Sequence, residues 1–413
     1  MSRSALWTFF DCKSGEKTRV YLERSRSSPI RLCFNWKRDD IPPHNPFLQI
    51  VPHATGRLKS LSIRGTQENL QVITPLLSYP APLLERLSID AEYGPNRHAA
   101  IPSTLFNGEF PSLRTLHLNS VCTELPWRNI INLTSFSLIN TPPGAVSVEG
   151  LLDFFESAPY LREVVLWFVT PTTGVQHGRL VSLAYLKSMQ INHSGPASVL
   201  LDHLLIPVGV ELETSGELVS SLVGEVLPRS LNNLKNFSNF TAIQLIPTEM
   251  FLHMTFSGPN GKVSTHLMTS RADRTTFSIE SLTQLDTSKT ERFEIQDGEI
   301  VSWDLLYQTY LSMANLRTLT LDHCRNPHTF IDVLQPGMNS SEVMVCPRLE
   351  EFSLVLAFWG VFDITRLIEV VAARAWRGKK LRTIGIVNKG EDDFDVSELG
   401  KYVWNVEYKR DRE

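Results

Sequence analysis

The chain has 413 residues, of which 42% are hydrophobic and 20% charged, a composition typical of folded globular proteins rather than disordered chains. Its net charge of −4 lacks the basic excess of proteins that bind nucleic acids or membrane surfaces, so we expect neither partner. The five cysteines are widely spaced without a CxxC pair, which predicts no zinc site and no disulfide framework. The apolar runs are too short for a signal peptide or a membrane span, which favours an intracellular protein, cytoplasmic or nuclear.

The first predicted elements lie close to the N-terminus. A helical segment containing the sequence YLERS precedes Pro29, and Ile30, Leu32, Phe34 and Trp36 then occupy alternate positions. This alternation predicts a half-buried strand, and proline is compatible with the start of a strand.

A pattern of the form L-x-x-L-x-L, with conservative replacements, recurs along the rest of the chain. Its fourth and sixth positions share one face of a short strand and are expected to point inward, while the first position anchors the preceding turn. One strand and one helix in every ~20–29 residues is the unit of leucine-rich repeats. We therefore predict an α/β leucine-rich-repeat solenoid of about 12–13 irregular repeats, with a parallel sheet on the concave side and helices on the convex side. The copies are Leu58-Leu61-Ile63, Leu84-Leu87-Ile89, Leu113-Leu116-Leu118, Leu133-Phe136-Leu138, Leu161-Val164-Leu166, Leu186-Met189-Ile191, Leu205-Val208-Val210, Phe240-Ile243-Leu245, Thr290-Phe293-Ile295, Leu316-Leu319-Leu321, Leu349-Phe352-Leu354 and Leu381-Ile384-Ile386.

The segments between the copies fit the same unit. Four copies have a proline two residues before their first leucine, where it ends a helix and leads extended chain into the strand. Helical patterns occupy Val148–Ser157, Ser302–Ala314 and Asp363–Gly378, the last with Asp363 placed as an N-cap and Gly378 as a stop. The four prolines are Pro82, Pro111, Pro159 and Pro347.

The array is irregular between the copies at Leu205 and Thr290. Residues 216–234 have a long helical pattern, and residues 251–268 resemble two alternating strands around a Pro-Asn-Gly hairpin turn. We interpret residues 247–289 as an insertion within one repeat, because no linker or low-complexity tract divides the chain. Length alone would suggest two or three domains. The predicted organisation is instead a short N-terminal segment, 1–28, and one elongated domain, 29–413.

The N-terminal sequence is more specific than the repeats. The stretch LWTFF at Leu6–Phe10 and the stretch KTRVYLERSRSSPIRLCFNW at Lys17–Trp36 resemble the end of the F-box and the following segment in F-box-like leucine-rich-repeat proteins that are abundant in mushroom-forming fungi. This resemblance implies a substrate receptor of a cullin–RING ubiquitin ligase, whose F-box binds the ligase adaptor and whose repeats bind a target. Only the last fragment of an F-box, about Ser4–Asp11, is present. Adaptor binding is therefore expected only if an F-box precedes this chain.

Catalytic and ligand-binding motifs are missing from the sequence. Neither phosphate-binding glycine motifs nor the H-E-x-x-H and G-x-S-x-G patterns occur, and Gly258–Val263 is interpreted as a hairpin turn. Cys324 is interpreted as a small buried residue behind a strand, and the acidic run at 391–395 as a solvated loop. We predict no enzymatic activity, no cofactor and no metal site.

The third, fifth and seventh positions of each copy should point away from the buried face and form the binding surface. Their charges are mixed, which again argues against a nucleic-acid partner. Ile139, Val165 and Trp167 should form one exposed apolar patch on adjacent strands, unless the loop Val169–Gly178 folds back over Trp167. The candidate target-binding residues are Arg64, Arg86, Asp90, His117, Asn119, Ile139, Glu163, Val165, Trp167, Gln190, Glu294, Asp322 and Glu351.

The expected function is recognition of a target protein on the concave sheet, most simply as the receptor subunit of an F-box ubiquitin ligase. The alternative is a scaffold or decoy with the same repeats and no ligase docking. An enzyme with an unrecognised site is the third reading, and motif absence argues against it.

Overall fold

The protein is a mixed α/β structure with a large sheet, described here by a computed structural model. The contacts between its residues divide the chain into two compact units. Unit 1 comprises Met1–Glu213 and Pro228–Leu234, and unit 2 comprises Thr214–Leu227 and Lys235–Glu413. The structure describes residues 8–10, 15–35, 54–92, 99–102, 104–125, 127, 129–172, 174, 178–192, 197–217, 222–248, 251–268, 274–298, 301–336, 343–356, 362–390 and 393–411.

Unit 1 is built on a parallel sheet in which successive strands of the chain are neighbours, in the order β1-β2-β3-β4-β6-β8-β9-β11. Two small parallel pairs, β5 with β7 and β10 with β12, lie outside this sheet. The strands are β1 Phe9–Phe10, β2 Ile30–Asn35, β3 Leu58–Gly65, β4 Arg86–Ala91, β5 Ala99–Ile101, β6 Thr115–Asn119, β7 Val121–Thr123, β8 Ser135–Ile139, β9 Glu163–Trp167, β10 Val181–Ser182, β11 Ser188–Asn192 and β12 Leu204–Leu205, and β13 Val210–Glu217 crosses the boundary between the units.

Unit 2 has strand order β16-β15-β14-β17-β18-β19-β20-β21. Strands β14 and β17 to β21 are parallel to one another, whereas β15 is antiparallel to both β14 and β16. The strands are β14 Ala242–Pro247, β15 Phe251–Gly258, β16 Gly261–Met268, β17 Arg292–Gln296, β18 Thr318–Asp322, β19 Glu351–Leu356, β20 Thr383–Asn388 and β21 Asn405–Arg410.

Helices and short 3-10 turns connect the parallel strands. The helices are α1 Gly15–Ser25, α2 Gln67–Ile73, α3 Val148–Ser157, α4 Ser198–Leu201, α5 Arg274–Leu282, α6 Trp303–Ser312, α7 Pro327–Asp332 and α8 Ile364–Trp376. The helical patterns at 148–157, 302–314 and 363–378 are confirmed by α3, α6 and α8. The Asp363 carboxylate caps α8 by accepting from the Thr365 amide at 2.9 Å, and Gly378 ends it with φ +75°.

The inward positions of the repeat pattern form the core in both units. Leu113, Leu116 and Leu118 are fully buried, and the first, fourth and sixth positions of the other copies are buried in the same way, apart from the copy at Leu205. Helices cover this buried side: Phe154 of α3 lies 4.2 Å, ring centre to ring centre, from Phe136 of β8. The predicted inward orientation is therefore confirmed, because burying branched apolar side chains drives strands and helices together.

Strands in both units end on a residue with left-handed backbone, directly after the seventh repeat position. Its amide donates to the carbonyl at the seventh position of the next strand, as from Asn140 to Trp167 at 2.8 Å. This bond extends the sheet ladder by one step while the chain turns away. The residues in this conformation are Ser120, Asn140, Phe168, Asp297 and His323, with φ between +52° and +55°.

The predicted hairpin is confirmed, and its strands belong to the main sheet of unit 2. Strand β15 pairs with every residue of β14, from Ala242 opposite Ser257 to Pro247 opposite Leu252. Strand β14 keeps its parallel partner β17 on the other edge. The inserted strands therefore extend the sheet on the side of β14 that is opposite to β17.

The prediction of a long helix over residues 216–234 is wrong for the described residues. Strand β13 continues to Glu217, residues 222–227 form turns, and the only helical segment described there is a single 3-10 turn at Leu231–Asn233. Leu222, Val226, Leu227 and Leu234 are buried all the same. Their spacing resembles that of an amphipathic helix, but here an irregular segment buries them. Periodicity alone cannot distinguish these two cases.

The repeat copy at Leu205 is placed two residues too early. Val208 is 58% exposed, whereas Val210 and Leu212 of β13 are the buried pair. Pro207 and Gly209 break the local pattern, so the inward positions move to the next alternating pair.

The predicted N-terminal helix and the strand that begins near Pro29 are confirmed. Helix α1 contains the YLERS sequence, and β2 begins at Ile30, with Ile30, Leu32 and Phe34 buried. Phe9–Phe10 forms strand β1, parallel to β2. Residues 4–7, Asp11 and Trp36 lie outside the described residues, as do 391–392 of the acidic run.

Candidate target-binding surface

The solvent-facing side of the unit 1 sheet, which we call the open face of unit 1, carries the third, fifth and seventh repeat positions in three straight rows. Parallel pairing in register places equivalent positions of neighbouring strands side by side. The rows, from β3 to β11, are Ser60-Arg86-Thr115-Ser135-Glu163-Ser188, Ser62-Ser88-His117-Ser137-Val165-Gln190 and Arg64-Asp90-Asn119-Ile139-Trp167-Asn192.

Every predicted binding residue of this unit lies in these rows and is at least partly exposed. The predicted residues of unit 2, Glu294, Asp322 and Glu351, occupy the corresponding positions of β17, β18 and β19. The structure therefore brings Arg64 through Gln190 onto one surface and the other three onto the surface of unit 2.

A polar cluster occupies one end of the open face of unit 1. Asn119 donates from Nδ2 to Oδ1 of Asp90 at 2.8 Å, and Nε of Arg64 lies 3.6 Å from Oδ2 of the same carboxylate. Burial lowers the pKa of His117 below its usual value of 6.5, and the charge of Asp90 partly opposes this by favouring the protonated ring. The cluster thus offers a largely neutral imidazole beside a carboxylate that already has two partners.

An apolar patch occupies the next strands of the same face. Ile139 and Trp167 are direct neighbours in the ladder, and Val165 lies beside Ser137 in the adjacent row. Trp167 is 39% exposed. Tryptophan combines a large apolar surface with a hydrogen-bond donor, and it is enriched among the residues that dominate binding energy.

The described part of the loop after β9 is hydrogen-bonded to the segment that precedes α3. The amide of Thr172 donates to the carbonyl of Val146, and the carbonyl of Thr172 accepts from the amide of Val148. These bonds tie the loop to the segment that leads into α3. Residues 173 and 175–177 of the loop lie outside the described residues.

Phe168 is a second exposed aromatic residue at the end of β9, which the sequence analysis did not select. It follows Trp167, is 52% exposed, and has the left-handed φ of +52° that a bulky side chain adopts only at an energetic cost. The equivalent residue after β8 is Asn140, which tolerates this conformation better.

The far edge of the open face is organised around Glu213 of β13. Gln190 donates from Nε2 to one carboxylate oxygen at 3.3 Å, and Asn192 donates from Nδ2 to the other at 3.4 Å. The Asn192 amide is thereby oriented next to Trp167, its direct neighbour in the ladder, and the Gln190 amide lies next to Val165.

Unit 2 contains a cleft of about 230 Å³, lined by both polar and apolar side chains, that the sequence analysis missed. It lies above Ala242, whose short side chain leaves a depression between Ser257 of β15 and Arg292 of β17. Gln244 donates from Nε2 to Oε1 of Glu294 at 3.1 Å and so orients that carboxylate. The cleft is lined by Ala242, Ile243, Gln244, Thr255, Ser257, Arg292, Phe293, Glu294, Thr318 and Thr320.

The cleft is smaller than typical small-molecule sites, which have volumes of about 300–1,000 Å³. The hairpin completes it through Thr255 and Ser257. The sequence did contain a signal that could have predicted this cleft: polar residues alternate along residues 251–268. His253, Thr255 and Ser257 therefore share one side of β15.

The histidines and cysteines of the repeats have structural contacts. His253 stacks on His266 with ring centres 4.1 Å apart, Nδ1 of His203 lies 2.9 Å from the Arg179 carbonyl, and Nδ1 of His323 lies 2.6 Å from the Asp322 carboxylate. Burial raises the pKa of the Cys324 and Cys346 thiols to about 12, which leaves both protonated and unreactive. Among the described residues, no three His, Cys, Asp or Glu side chains are placed to hold a metal ion.

No family model matches this chain, and no curated protein matches it either. None of the helices in the described part of the chain combines the length and the hydrophobicity needed to cross a membrane.

Proposed function

We propose that the protein is a leucine-rich-repeat recognition module that binds a target protein on the solvent-facing side of its parallel strands. The observation that carries this proposal is the row Arg64-Asp90-Asn119-Ile139-Trp167-Asn192, in which repeat position seven changes from charged to apolar across neighbouring strands. A polar surface with one aromatic anchor is the composition of protein-binding interfaces.

The proposed cellular role is that of the receptor subunit of an F-box-type cullin–RING ubiquitin ligase. The support for this role is the resemblance of Leu6–Phe10 and Lys17–Trp36 to F-box-like repeat proteins. The described part of the second stretch forms helix α1 and strand β2, and β2 lies between β1 and β3 in the unit 1 sheet.

The target-binding proposal is tested with substitutions on and off the open face. Trp167→Ala should weaken target binding by about 2 kcal/mol or more while leaving the thermal melt unchanged. Phe168→Asn should also weaken binding, and it should not destabilise the fold because asparagine tolerates left-handed backbone. Targets are identified by quantitative affinity capture from cells, and their affinities are then measured with purified proteins.

The matched control is Trp376→Ala, since Trp376 is 84% exposed on α8 and lies outside the rows of the sheet. Loss of binding in both Trp variants would indicate nonspecific hydrophobic capture. A strongly lowered melting temperature of Trp167→Ala, with unchanged binding per folded molecule, would make Trp167 a core residue and overturn the proposed site.

The ligase role has a separate test. Adaptor copurification is measured with the product of the full-length transcript, including any in-frame sequence upstream of Met1. Binding of the adaptor supports the receptor role, whereas target binding without any adaptor supports the stand-alone scaffold.

A further inference from the structure

The cleft of unit 2 lies between two rows of outward-facing side chains on strands β15, β14, β17 and β18. The pairing of these strands places equivalent positions side by side, so each strand contributes one residue to each row. Ala242 has the shortest side chain among them, and the cleft opens above it. The rows, from β15 to β18, are Ser257-Ala242-Arg292-Thr318 and Thr255-Gln244-Glu294-Thr320.

Two opposite charges line this cleft from the same strand. Arg292 and Glu294 are two residues apart on β17, so both side chains lie on one side of the sheet, with backbone positions about 6.6 Å apart. They do not form an ion pair with each other, and no other described residue pairs with the Arg292 guanidinium. Gln244 donates to Oε1 of Glu294 at 3.1 Å, which leaves Oε2 without a partner among the described residues. A cation and an anion are therefore both available to a ligand.

Hydroxyl groups complete the polar part of the lining. The Thr318 hydroxyl already donates to Oε2 of Glu351 at 3.3 Å. The Ser257 and Thr320 hydroxyls, on opposite sides of the cleft, have no hydrogen bond to any described residue. A hydroxyl can donate one hydrogen bond and accept two, so these two groups can bind either a donor or an acceptor.

The volume limits the size of the ligand. A water molecule has a share of about 30 Å³ in the liquid, so the cleft of about 230 Å³ holds about eight water molecules or non-hydrogen ligand atoms. A ligand with a single charge would be attracted by one of Arg292 and Glu294 and repelled by the other. A small free amino acid meets both conditions, because its carboxylate and its ammonium group are attached to the same carbon atom.

We propose that this cleft binds a free α-amino acid with a small polar side chain. Arg292 binds the carboxylate, since the planar guanidinium can donate two parallel hydrogen bonds to it. Oε2 of Glu294 accepts a hydrogen bond from the ammonium group, and the Ser257 and Thr320 hydroxyls bind the polar side chain. This ligand site goes beyond the proposed recognition of a target protein and does not depend on it.

The test is saturation-transfer-difference NMR with L-threonine, L-serine and L-asparagine, at about 0.1–20 mM to cover the weak affinity of so small a ligand. The amino acid that binds most tightly is then compared with its N-acetyl derivative, which lacks the ammonium group, and with its amide, which lacks the carboxylate. Each derivative should bind about tenfold more weakly or worse, because each loses a charge-assisted hydrogen bond.

Two variants assign these preferences to single residues. Arg292→Gln should weaken binding of the amino acid about tenfold or more and remove its advantage over the amide, while its advantage over the N-acetyl derivative remains. Glu294→Gln should have the opposite pattern. Ala242→Leu should weaken binding of all three compounds by filling the cleft.

The matched controls are Arg31→Gln on β2 and Glu407→Gln on β21, two exposed strand residues outside the cleft that should leave binding unchanged. Thermal melts identify any variant that fails to fold. The proposal is overturned if none of the three amino acids binds, if both derivatives bind as tightly as the amino acid, or if the two charge variants keep its preferences. None of these outcomes depends on whether a target protein binds elsewhere.

Discussion

Arg374 shows how a single residue is accommodated inside the repeat core. It lies on the buried side of α8 and is completely inaccessible to solvent. Its guanidinium donates to the Val345 carbonyl at 3.1 Å and to the Cys346 carbonyl at 2.8 Å, both in the segment leading into β19. Desolvation lowers its pKa, yet guanidinium stays charged in proteins, so these bonds compensate for its burial. An arginine within an apolar helix pattern would not be assigned to the core from sequence.

His117 gives a test of the electrostatics of the open face. Because its pKa lies below 6.5, its NMR titration should have a midpoint below that of an exposed histidine, and Asp90→Asn should lower the midpoint further by removing a favourable charge. The unfolded chain binds the proton more tightly than the folded one, so this residue makes the free energy of unfolding fall as the pH drops through 6.5. Replacing His117 with Gln should reduce that loss.

Glu351→Gln serves as the control for this titration, since Glu351 lies in the other unit. A midpoint at or above 6.5, or no response to Asp90→Asn, would mean that His117 is more hydrated than the structure shows.

At the scale of elements, the hairpin of β15 and β16 passes very close to a neighbouring backbone segment at Gly258. Gly258 ends β15, and a Cβ atom at this position would lie 2.7 Å from the carbonyl oxygen of Asn239 and 2.9 Å from Cα of Phe240. Both contacts involve backbone, which cannot move aside cheaply. Asn260 in the turn donates to the Ser238 carbonyl at 2.9 Å and ties the hairpin to the same segment.

We therefore expect Gly258→Ala to lower the free energy of unfolding by about 1–3 kcal/mol, because the added methyl group forces the two segments apart. Urea denaturation measures the change. Gly385→Ala on β20 is the matched control: its Cβ would meet only the Ser353 hydroxyl, at 3.6 Å, and a strand position without strain gains stability from alanine. Equal midpoints for the two variants would contradict the close approach at Gly258.

Element by element, sequence periodicity predicted most strands and the longer helices, because each has to bury one face. It failed where burial is achieved without regular structure. Residues 222–227 bury Leu222, Val226 and Leu227 in turns, and the sequence has no local feature that distinguishes this from a helix. The repeat pattern predicted that the seventh positions of neighbouring strands lie in one row. It did not predict the strained Phe168 or the cleft above Ala242, because both depend on which strands become neighbours.

At the scale of the whole molecule, the described strand positions that face solvent have mixed charges. The net charge is −4, and the strand positions that face solvent mix Arg64, Arg86 and Arg292 with Asp90 and Glu163. Phosphate binding requires clustered lysine and arginine, and its strength falls steeply with added salt.

The expected result is therefore no binding of duplex DNA or single-stranded RNA, even at about 50 mM salt, where nonspecific electrostatic binding is strong. Fluorescence anisotropy with labelled oligonucleotides measures this, with polylysine as the positive control. Binding that weakens as salt is added would reveal a basic surface that the described residues do not form.

The sequence by itself determined the strand positions and their inward residues, because an alternating apolar pattern can be buried in only one register. It also determined where α3, α6 and α8 begin, since Ser147, Ser302 and Asp363 cap them locally. The tertiary structure alone decided that β15 pairs with β14 and that Trp167 stays 39% exposed beside Ile139. These properties depend on contacts between residues far apart in the chain, and local periodicity contains no information about such contacts.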